Sequence, residues 1–175
     1  MIIVFTGNGK GKTTASLGQM VRVGGRVKSA LMIQFIKGPW ISGEDEFAKQ
    51  FNIPKDRFEI RKMGLGFVGI LGDKLPIEKH KEAARKALAA FAHEKNSGKW
   101  YLIVLDEINV AVSLGLLTAA EVLDVVKDFP ENRILILGGR GAPKEFIDLA
   151  DLATEMKEIK HPFQKGEQAK FTVEF

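Results

Sequence analysis

Short runs of apolar, often β-branched residues alternate along the chain with longer stretches in which apolar residues recur at helical spacing. Three of the runs, IIVF, YLIVL and ILIL, are apolar throughout, as in strands that are buried on both faces of a parallel sheet. The runs predict five strands: Ile2–Phe5, Ala30–Phe35, Phe58–Met63, Tyr101–Leu105 and Ile134–Leu137. The amphipathic stretches predict five helices: Lys12–Val23, Glu44–Gln50, Ile77–Glu94, Ala119–Asp128 and Pro143–Ala150.

Strands that alternate with helices are typical of an α/β layered domain with a mostly parallel sheet. We find no internal repeat and no linker, so residues 1–175 are interpreted as a single domain. The residues T-A-A-E from Thr118 predict a capping box that begins the helix after it. His80 falls on the apolar face of the longest predicted helix, where we expect it to pack at the edge of the core.

Two segments do not follow this alternation. Lys62–Pro76, KMGLGFVGILGDKLP, mixes apolar residues with glycines and has no clear period, which predicts a long loop. A long loop in a compact domain is usually functional or mobile. The tail from Lys157 to Phe175 ends in FTVEF, whose alternation predicts a strand.

Composition excludes several classes of protein. The chain is 45% hydrophobic and 27% charged, close to the globular average, and it has no cysteine for a disulfide, a thiolate metal site or a nucleophile. It has no apolar run near the ~18 residues of a membrane span, and its first residues do not resemble a signal peptide, so we expect a cytoplasmic protein without a membrane partner. The net charge of +4 suits a phosphate-bearing partner, but the basic residues are too scattered for a nucleic-acid arm.

A glycine-rich segment between the first strand and the first helix predicts a phosphate-binding P-loop. It reads TGNGKGKTT, with Thr6 where the common pattern G-x-x-x-x-G-K-[ST] has glycine. Glycines allow successive amides to point at phosphate oxygens, and the helix N-terminus adds positive charge. Lys12 would supply a point charge and Thr13 an oxygen for Mg²⁺. The alternative is a chance glycine-rich turn. Lys10 is equally compatible with a phosphate ligand and with a solvated loop lysine.

Charged residues also follow the fourth and fifth predicted strands. Asp106 and Glu107 come directly after LIVL, at the end of the strand where α/β sheets bind ligands. Such carboxylates can hold Mg²⁺ or polarise a water molecule, and the alternative is that they cap the following helix. Arg140, in GGRG, is either a bidentate phosphate ligand or a solvated turn residue.

Taken together, these motifs resemble the P-loop type of ATP:corrinoid adenosyltransferase. The matching segments run in the family's order from residue 1 to residue 175: TGNGKGKTTASLG at 6–18, QFIKG at 34–38, Gly43-Glu44, MGLGF at 63–67, VLDEIN at 104–109, GGRGAP at 138–143, ADLATEMKEIKHPF at 150–163 and a terminal VEF. The combination of GNGKGKTT, QFIKG and the TEM-x-x-x-KHPF block is specific to this family.

The resemblance implies a three-layer, RecA-like P-loop NTPase fold and the transfer of the 5′-deoxyadenosyl group of MgATP to the Co(I) centre of a corrinoid, with release of triphosphate. It further implies that Asn8 through Thr14 bind triphosphate and magnesium and that Glu107 lies at the metal. Thr13, Glu107 and Asp106 are thus the candidate metal ligands. Arg140 would face the nucleotide. The binding residues implied are Gly7, Asn8, Gly9, Lys10, Gly11, Lys12, Thr13, Thr14 and Arg140. A homodimer is expected, and a reductase or flavoprotein would serve as electron donor.

The chain departs from the family pattern on the corrinoid side. Gly69 occupies a position where members commonly have Trp, Val110 one where they have Tyr, and the N-terminal extension of some members is not expected here. In the family, aromatic residues near the G-F motif displace the lower axial ligand of cobalt. Phe67 is the aromatic that remains, helped by Val68, Ile70 and Leu71. The alternative is that Phe67 anchors the loop to the core.

Three other functions are weighed against adenosyl transfer. One is an ATPase or kinase that transfers the γ-phosphoryl group, and another is a RecA-like nucleic-acid motor, which the missing basic stripe disfavours. The third is a nucleotide-gated corrinoid carrier without turnover. Lys12, Glu107 and Phe67 are the residues expected to carry catalysis.

Overall fold

The computed structural model describes residues 1–70, 72–162 and 166. In this part of the chain, strands and helices alternate from the first residues onward. The elements are β1 (Ile2–Thr6), α1 (Lys12–Gly24), β2 (Ala30–Gln34), α2 (Gly43–Gln50), β3 (Phe58–Lys62), α3 (Ile77–Ser97), β4 (Leu102–Asp106), α4 (Ile108–Ser113), α5 (Ala119–Val126), β5 (Ile134–Gly138), α6 (Lys144–Leu149) and β6 (Leu152–Glu155).

The six strands form one sheet in the order β3-β2-β4-β5-β1-β6, and every pairing is parallel. The α/β prediction is therefore confirmed, including the RecA-like arrangement. β5 lies between β1 and β4, so the P-loop strand and the strand that ends in Asp106 both border β5. Because all strands are parallel, the segments that follow them meet at one edge of the sheet.

Alternate residues of each strand point to opposite faces, and each face is covered by helices. Leu31 and Ile33 of β2 join one core cluster with Phe91 of α3, whereas Met32 joins a second cluster with Met20 of α1. This alternation explains why the central strands are apolar throughout. The layers are thus helix, sheet and helix.

The five strands and five helices predicted between Ile2 and Ala150 are all present, with ends that differ by at most three residues. β4 begins and ends one residue later than predicted, so Asp106 is the last residue of the strand. The predicted capping box is confirmed: the hydroxyl of Thr118 accepts from the amide of Glu121, whose carboxylate accepts from the amide of Thr118. β6 was not predicted, because its four residues are exposed and lack an apolar run. The strand predicted in FTVEF lies outside the described residues.

The long loop after β3 contains no helix or strand in its described residues, which confirms the loop prediction. Hydrogen bonds to Asp73 nevertheless hold its described residues in place. The carboxylate of Asp73 accepts from the amides of Gly69 and Leu75, and it lies 3.0 Å from Nε2 of His80. His80 is buried at the edge of the core, as predicted. Among the described helices, none has the length and apolarity needed to cross a membrane.

Candidate functional site

The P-loop turns tightly between β1 and α1 and packs against the segment that follows β6. Gly7 and Gly11 have φ of 90° and 114°, a conformation that disfavours any side chain. A Cβ on Gly7 would lie 2.4 Å from the carbonyl oxygen of Met156, and one on Gly9 would lie 2.7 Å from the backbone of Lys157. The amide of Gly9 donates to that same Met156 oxygen at 2.7 Å. The glycines are therefore required by the close approach of residues 156–157 as well as by the turn.

Lys12 is folded into the P-loop. Its side chain is buried, and its ammonium donates to the carbonyl oxygens of Gly7 at 2.7 Å and Gly9 at 2.6 Å. Burial lowers the pKa of Lys12, while the nearby Glu107 opposes that shift. Of the other predicted ligands, Asn8, Lys10 and Thr14 are exposed around the same loop.

Asp106 lies at the carboxyl end of β4 with only 1% of its surface exposed. Its Oδ1 accepts from the hydroxyl of Thr13 and its Oδ2 from the side-chain amide of Gln34, each at 3.0 Å. Burial raises the pKa of Asp106 despite these bonds. The other amide atom of Gln34, Oε1, is buried and has no partner among the described residues. A cluster of acceptor oxygens thus lies beside the first turn of α1.

Glu107 occupies the N-cap position of α4 in the left-handed conformation, with φ of 62°. Its side chain makes no capping hydrogen bond, so the capping interpretation has no support here. Burial and the charge of Asp106 raise the pKa of Glu107 to about 7, and Lys12 and Arg140 act in the opposite direction. Arg140 is itself exposed. A Cβ on Gly139 would lie 3.0 Å from Glu107 Oε2, so the turn before Arg140 lies against this carboxylate.

Asn109 connects the ends of the neighbouring strands. Its Nδ2 donates to the carbonyl oxygens of Phe5 at 3.3 Å and Gly139 at 3.0 Å, and the amide of Gly139 donates to Phe5 as well. These bonds fix the position of the Arg140 turn relative to the P-loop. A cavity of about 510 Å³ lies beside the start of the P-loop. It is lined by Thr6, Gly7, Asn8, Gly141, Ala142, Ile147, Ala153, Thr154 and Glu155.

The loops after β2 and β3 are attached to the same edge. The amide of Phe35 donates to the carbonyl oxygen of Asp106 at 3.0 Å, and the amide of Gly66 donates to Ile36 at 2.9 Å. The ammonium of Lys37, which is paired with Glu44, opposes the rise that burial causes in the pKa of both Asp106 and Glu107. The loop that carries Phe67 is thereby linked through the main chain to the acidic site. The structure brings together Lys12, Thr13, Asp106, Glu107 and the turn before Arg140, while Phe67 lies on the adjoining loop.

Sequence reasoning missed four residues of this site: Gln34, Lys37, Asn109 and Met156. A signal existed for Gln34 and Lys37, because a single polar residue ends the apolar strand ALMIQ and a cation follows it at the ligand-binding edge. No local signal marks Met156, since its contact with the P-loop depends on where β6 joins the sheet. Leu71, expected to help Phe67, lies outside the described residues.

Comparisons with known proteins agree on one family. The family model described as ATP:corrinoid adenosyltransferase BtuR/CobO/CobP matches residues 1–175. The Salmonella typhimurium protein named Corrinoid adenosyltransferase CobA is 33% identical over 179 residues, an alignment covering all of this chain and 85% of that protein. The Corrinoid adenosyltransferases of Sinorhizobium sp and Escherichia coli K12 are 37% and 31% identical, again over all of this chain and over 80% and 85% of their own lengths.

Proposed function

The chain belongs to the ATP:corrinoid adenosyltransferase family, and from that premise we propose that it transfers the 5′-deoxyadenosyl group of MgATP to the Co(I) centre of a corrinoid. Triphosphate is the other product. The substrate is cobalamin or cobyrinic acid a,c-diamide, in the synthesis or salvage of adenosylcobalamin. The observation that carries the proposal is the convergence of Lys12, Thr13 and the two carboxylates at one sheet edge. That convergence occurs in a chain matched to the family along its whole length.

The protein need not supply a nucleophile for this reaction. The electron pair of Co(I) forms the Co–C5′ bond, and the C5′–O bond breaks with its electron pair leaving on triphosphate. The tasks of the protein are to hold C5′ in line with cobalt and to stabilise the negative charge that grows on the leaving group. In the proposal, residues 7–14 bind the triphosphate and Arg140 faces the nucleotide.

Lys12 is suited to the second task. Its present acceptors are two neutral carbonyl oxygens, and an anionic phosphate oxygen is a stronger acceptor for an ammonium. Because the side chain is already buried, it has little freedom to lose when it exchanges one acceptor for the other. We therefore assign to Lys12 the neutralisation of the departing triphosphate.

The donor set beside Lys12 fits a magnesium ion. Mg²⁺ prefers oxygen ligands and usually takes one or two from protein, with phosphate oxygens and water completing the shell. Thr13 and Asp106 present oxygens 3.0 Å apart, and Glu107 is the next residue. In the proposal, the phosphate oxygens of ATP and water complete the shell of the metal. Bound there, Mg²⁺ would add positive charge next to the triphosphate.

Phe67 is proposed to displace the lower axial ligand of cobalt, which makes Co(I) accessible. Its ring is 48% exposed, whereas the neighbouring Val68 is packed against the core. This distribution supports the substrate role over the alternative, since Val68 already provides the anchor for the loop. Ile70 is 59% exposed on the same loop and adds apolar surface.

We further propose that the protein acts as a cytoplasmic homodimer and receives electrons from a reductase or flavoprotein. Light scattering after gel filtration tests the oligomeric state. The reaction is tested by mixing the protein with MgATP and chemically reduced cobalamin and recording the absorption spectrum. Adenosylcobalamin is expected only when both substrates are present, and its absence from the complete mixture would refute the proposal.

A further inference from the structure

Two aromatic rings lie exposed side by side at the edge of the sheet that carries the acidic site. Trp40 is 60% exposed and Phe67 48%, and their ring centroids are 5.9 Å apart with an angle of 35° between the planes. Leu65 of the same loop is 41% exposed. The other tryptophan of the chain, Trp100, is fully buried. Contiguous exposed apolar surface of this kind usually marks a binding site.

The position of the indole is fixed by backbone. A Cβ on Gly38 would lie 2.8 Å from the indole of Trp40, and one on Gly66 would lie 2.5 Å from it. Both glycines are buried, and Gly66 has φ of 105°, so the ring rests directly on two main-chain segments. The ammonium of Lys62 donates to the carbonyl oxygen of Trp40. The indole is therefore held in place before any ligand arrives, and its outer face is open.

The pair occupies the loops after β2 and β3, whose main chains are tied to Asp106 through Phe35 and to each other through Gly66 and Ile36. The cation nearest to the indole's backbone, Lys62, is already paired with Asp45. The exposed surface of Trp40, Phe67 and Leu65 is thus apolar, and the ammonium that bonds to the backbone of Trp40 has a carboxylate partner. A flat macrocycle with an apolar face matches that surface better than a phosphate or an acidic peptide does.

We infer that Trp40 is a corrinoid-contacting residue, and that its indole and the ring of Phe67 form a single aromatic platform against one face of the corrin ring. The inference rests on the proposed function and deepens it. Phe67 alone offers one half-exposed ring on a glycine-rich loop. The indole, delivered from a different loop, extends that surface and supports the ring of Phe67 from the side.

The experiment measures the dissociation constant of cobalamin by equilibrium dialysis with MgATP present. Trp40→Ala should weaken binding by about tenfold, and Trp40→Phe, which keeps a ring, should weaken it less. If the two rings act as one platform, removing either ring already loses part of the contact made by the other. The dissociation constant of the double variant Trp40→Ala/Phe67→Ala should therefore rise by less than the product of the two single fold-increases. The KM for ATP should stay within about twofold of wild type. Phe51→Ala removes a ring that is also exposed but pairs with Phe47 instead of Trp40 or Phe67, so it is the matched control and should bind as wild type does.

Wild-type affinity in Trp40→Ala would overturn the inference, as would single effects that simply multiply in the double variant. Thermal melting of each variant distinguishes the loss of a contact with cobalamin from the loss of the fold. If Trp40→Ala does not fold, the dissociation constant of Trp40→Phe is the measurement that tests the inference. The two proposals fail differently. If the wild-type protein forms adenosylcobalamin while Trp40→Ala binds cobalamin normally, only the inference about Trp40 is wrong. If the wild-type protein binds no cobalamin, both are wrong.

Discussion

Replacing Asp106 by Asn should stabilise the free protein and raise the magnesium concentration at which MgATP stabilises it. The carboxylate is 1% exposed, and burial raises its pKa, so its charge is unfavourable in the fold. Asn has the same shape and can still accept from Thr13. Its amide group can donate to Gln34 if that side chain turns its unpaired Oε1 toward it. The variant therefore keeps both hydrogen bonds and loses the buried charge.

The pH dependence follows from the direction of the shift. For an acid whose folded pKa is raised, the destabilisation is absent below the unfolded value of about 3.9 and grows as pH rises above it. In EDTA at pH 7 we expect Asp106→Asn to melt above wild type by roughly 2–4 °C, corresponding to about 1 kcal/mol for a chain of this size. The difference should vanish near pH 4. Asp124→Asn, the same change at an exposed residue, is the control and should leave the melting temperature unchanged.

Addition of MgATP should reverse the order of the two proteins. A ligand at about 100 times its Kd stabilises the folded state by about 2.7 kcal/mol, which is roughly 5–10 °C here. The melting temperature of wild type should rise by this amount. Asp106→Asn should show most of the same rise only at a much higher magnesium concentration. Glu107→Gln, tested in parallel, should also need more magnesium for half-maximal activity. A variant Asp106→Asn that melts below wild type in EDTA, or that gains the full shift at the same magnesium concentration, would refute the reasoning.

Three further predictions concern the leaving group, the corrinoid and the fold. Lys12→Ala should lower kcat by roughly 10²–10³-fold with a small change in melting temperature, and near-normal turnover in the folded variant would remove the P-loop from the mechanism. Phe67→Ala should lose much more activity when cobalamin is supplied as Co(II) with a reductant than when it is supplied as Co(I); equal losses would mean that the ring only shapes the pocket. Burial would raise the pKa of Glu94, but hydrogen bonds from Arg61 and Trp100 outweigh it and lower the pKa. The ionised Glu94 therefore stabilises the fold above about pH 4.3, and this contribution is lost as pH falls through the lower folded pKa. Glu94→Gln should cost about 1–3 kcal/mol at pH 7 and progressively less as pH falls below about 4, measured by urea unfolding.

Local sequence pattern was sufficient for five strands of the sheet and for the glycine-rich turn between β1 and α1. Strands such as Leu102–Asp106 are buried on both faces, so their composition alone identifies them. Helix ends with strong signals were also located, as at Thr118. The resemblance to the corrinoid adenosyltransferases relates motifs that are far apart in sequence to a single activity, which no local pattern does.

The unpredicted features without a local signal depend on long-range packing. β6 is recognisable only through its pairing with β1, and the contact between Met156 and the P-loop follows from that pairing. Trp40 and Phe67 are separated by 26 residues of sequence, and no local pattern indicates that their rings meet. The sequence indicated Asp106 and Glu107 as candidate metal ligands, but no local pattern indicated that the carboxylate of Asp106 accepts from the hydroxyl of Thr13.

Adenosyl transfer breaks the C5′–O bond of ATP, whereas an ATPase or a kinase breaks a bond to phosphorus. The two reactions are distinguished by ³¹P NMR of the reaction mixture, with adenosylcobalamin quantified by absorption in the same sample. We expect inorganic triphosphate and adenosylcobalamin in equal amounts, both dependent on reduced cobalamin. ADP with phosphate, or ADP with a phosphorylated acceptor, formed without a Co–C product, would contradict adenosyl transfer.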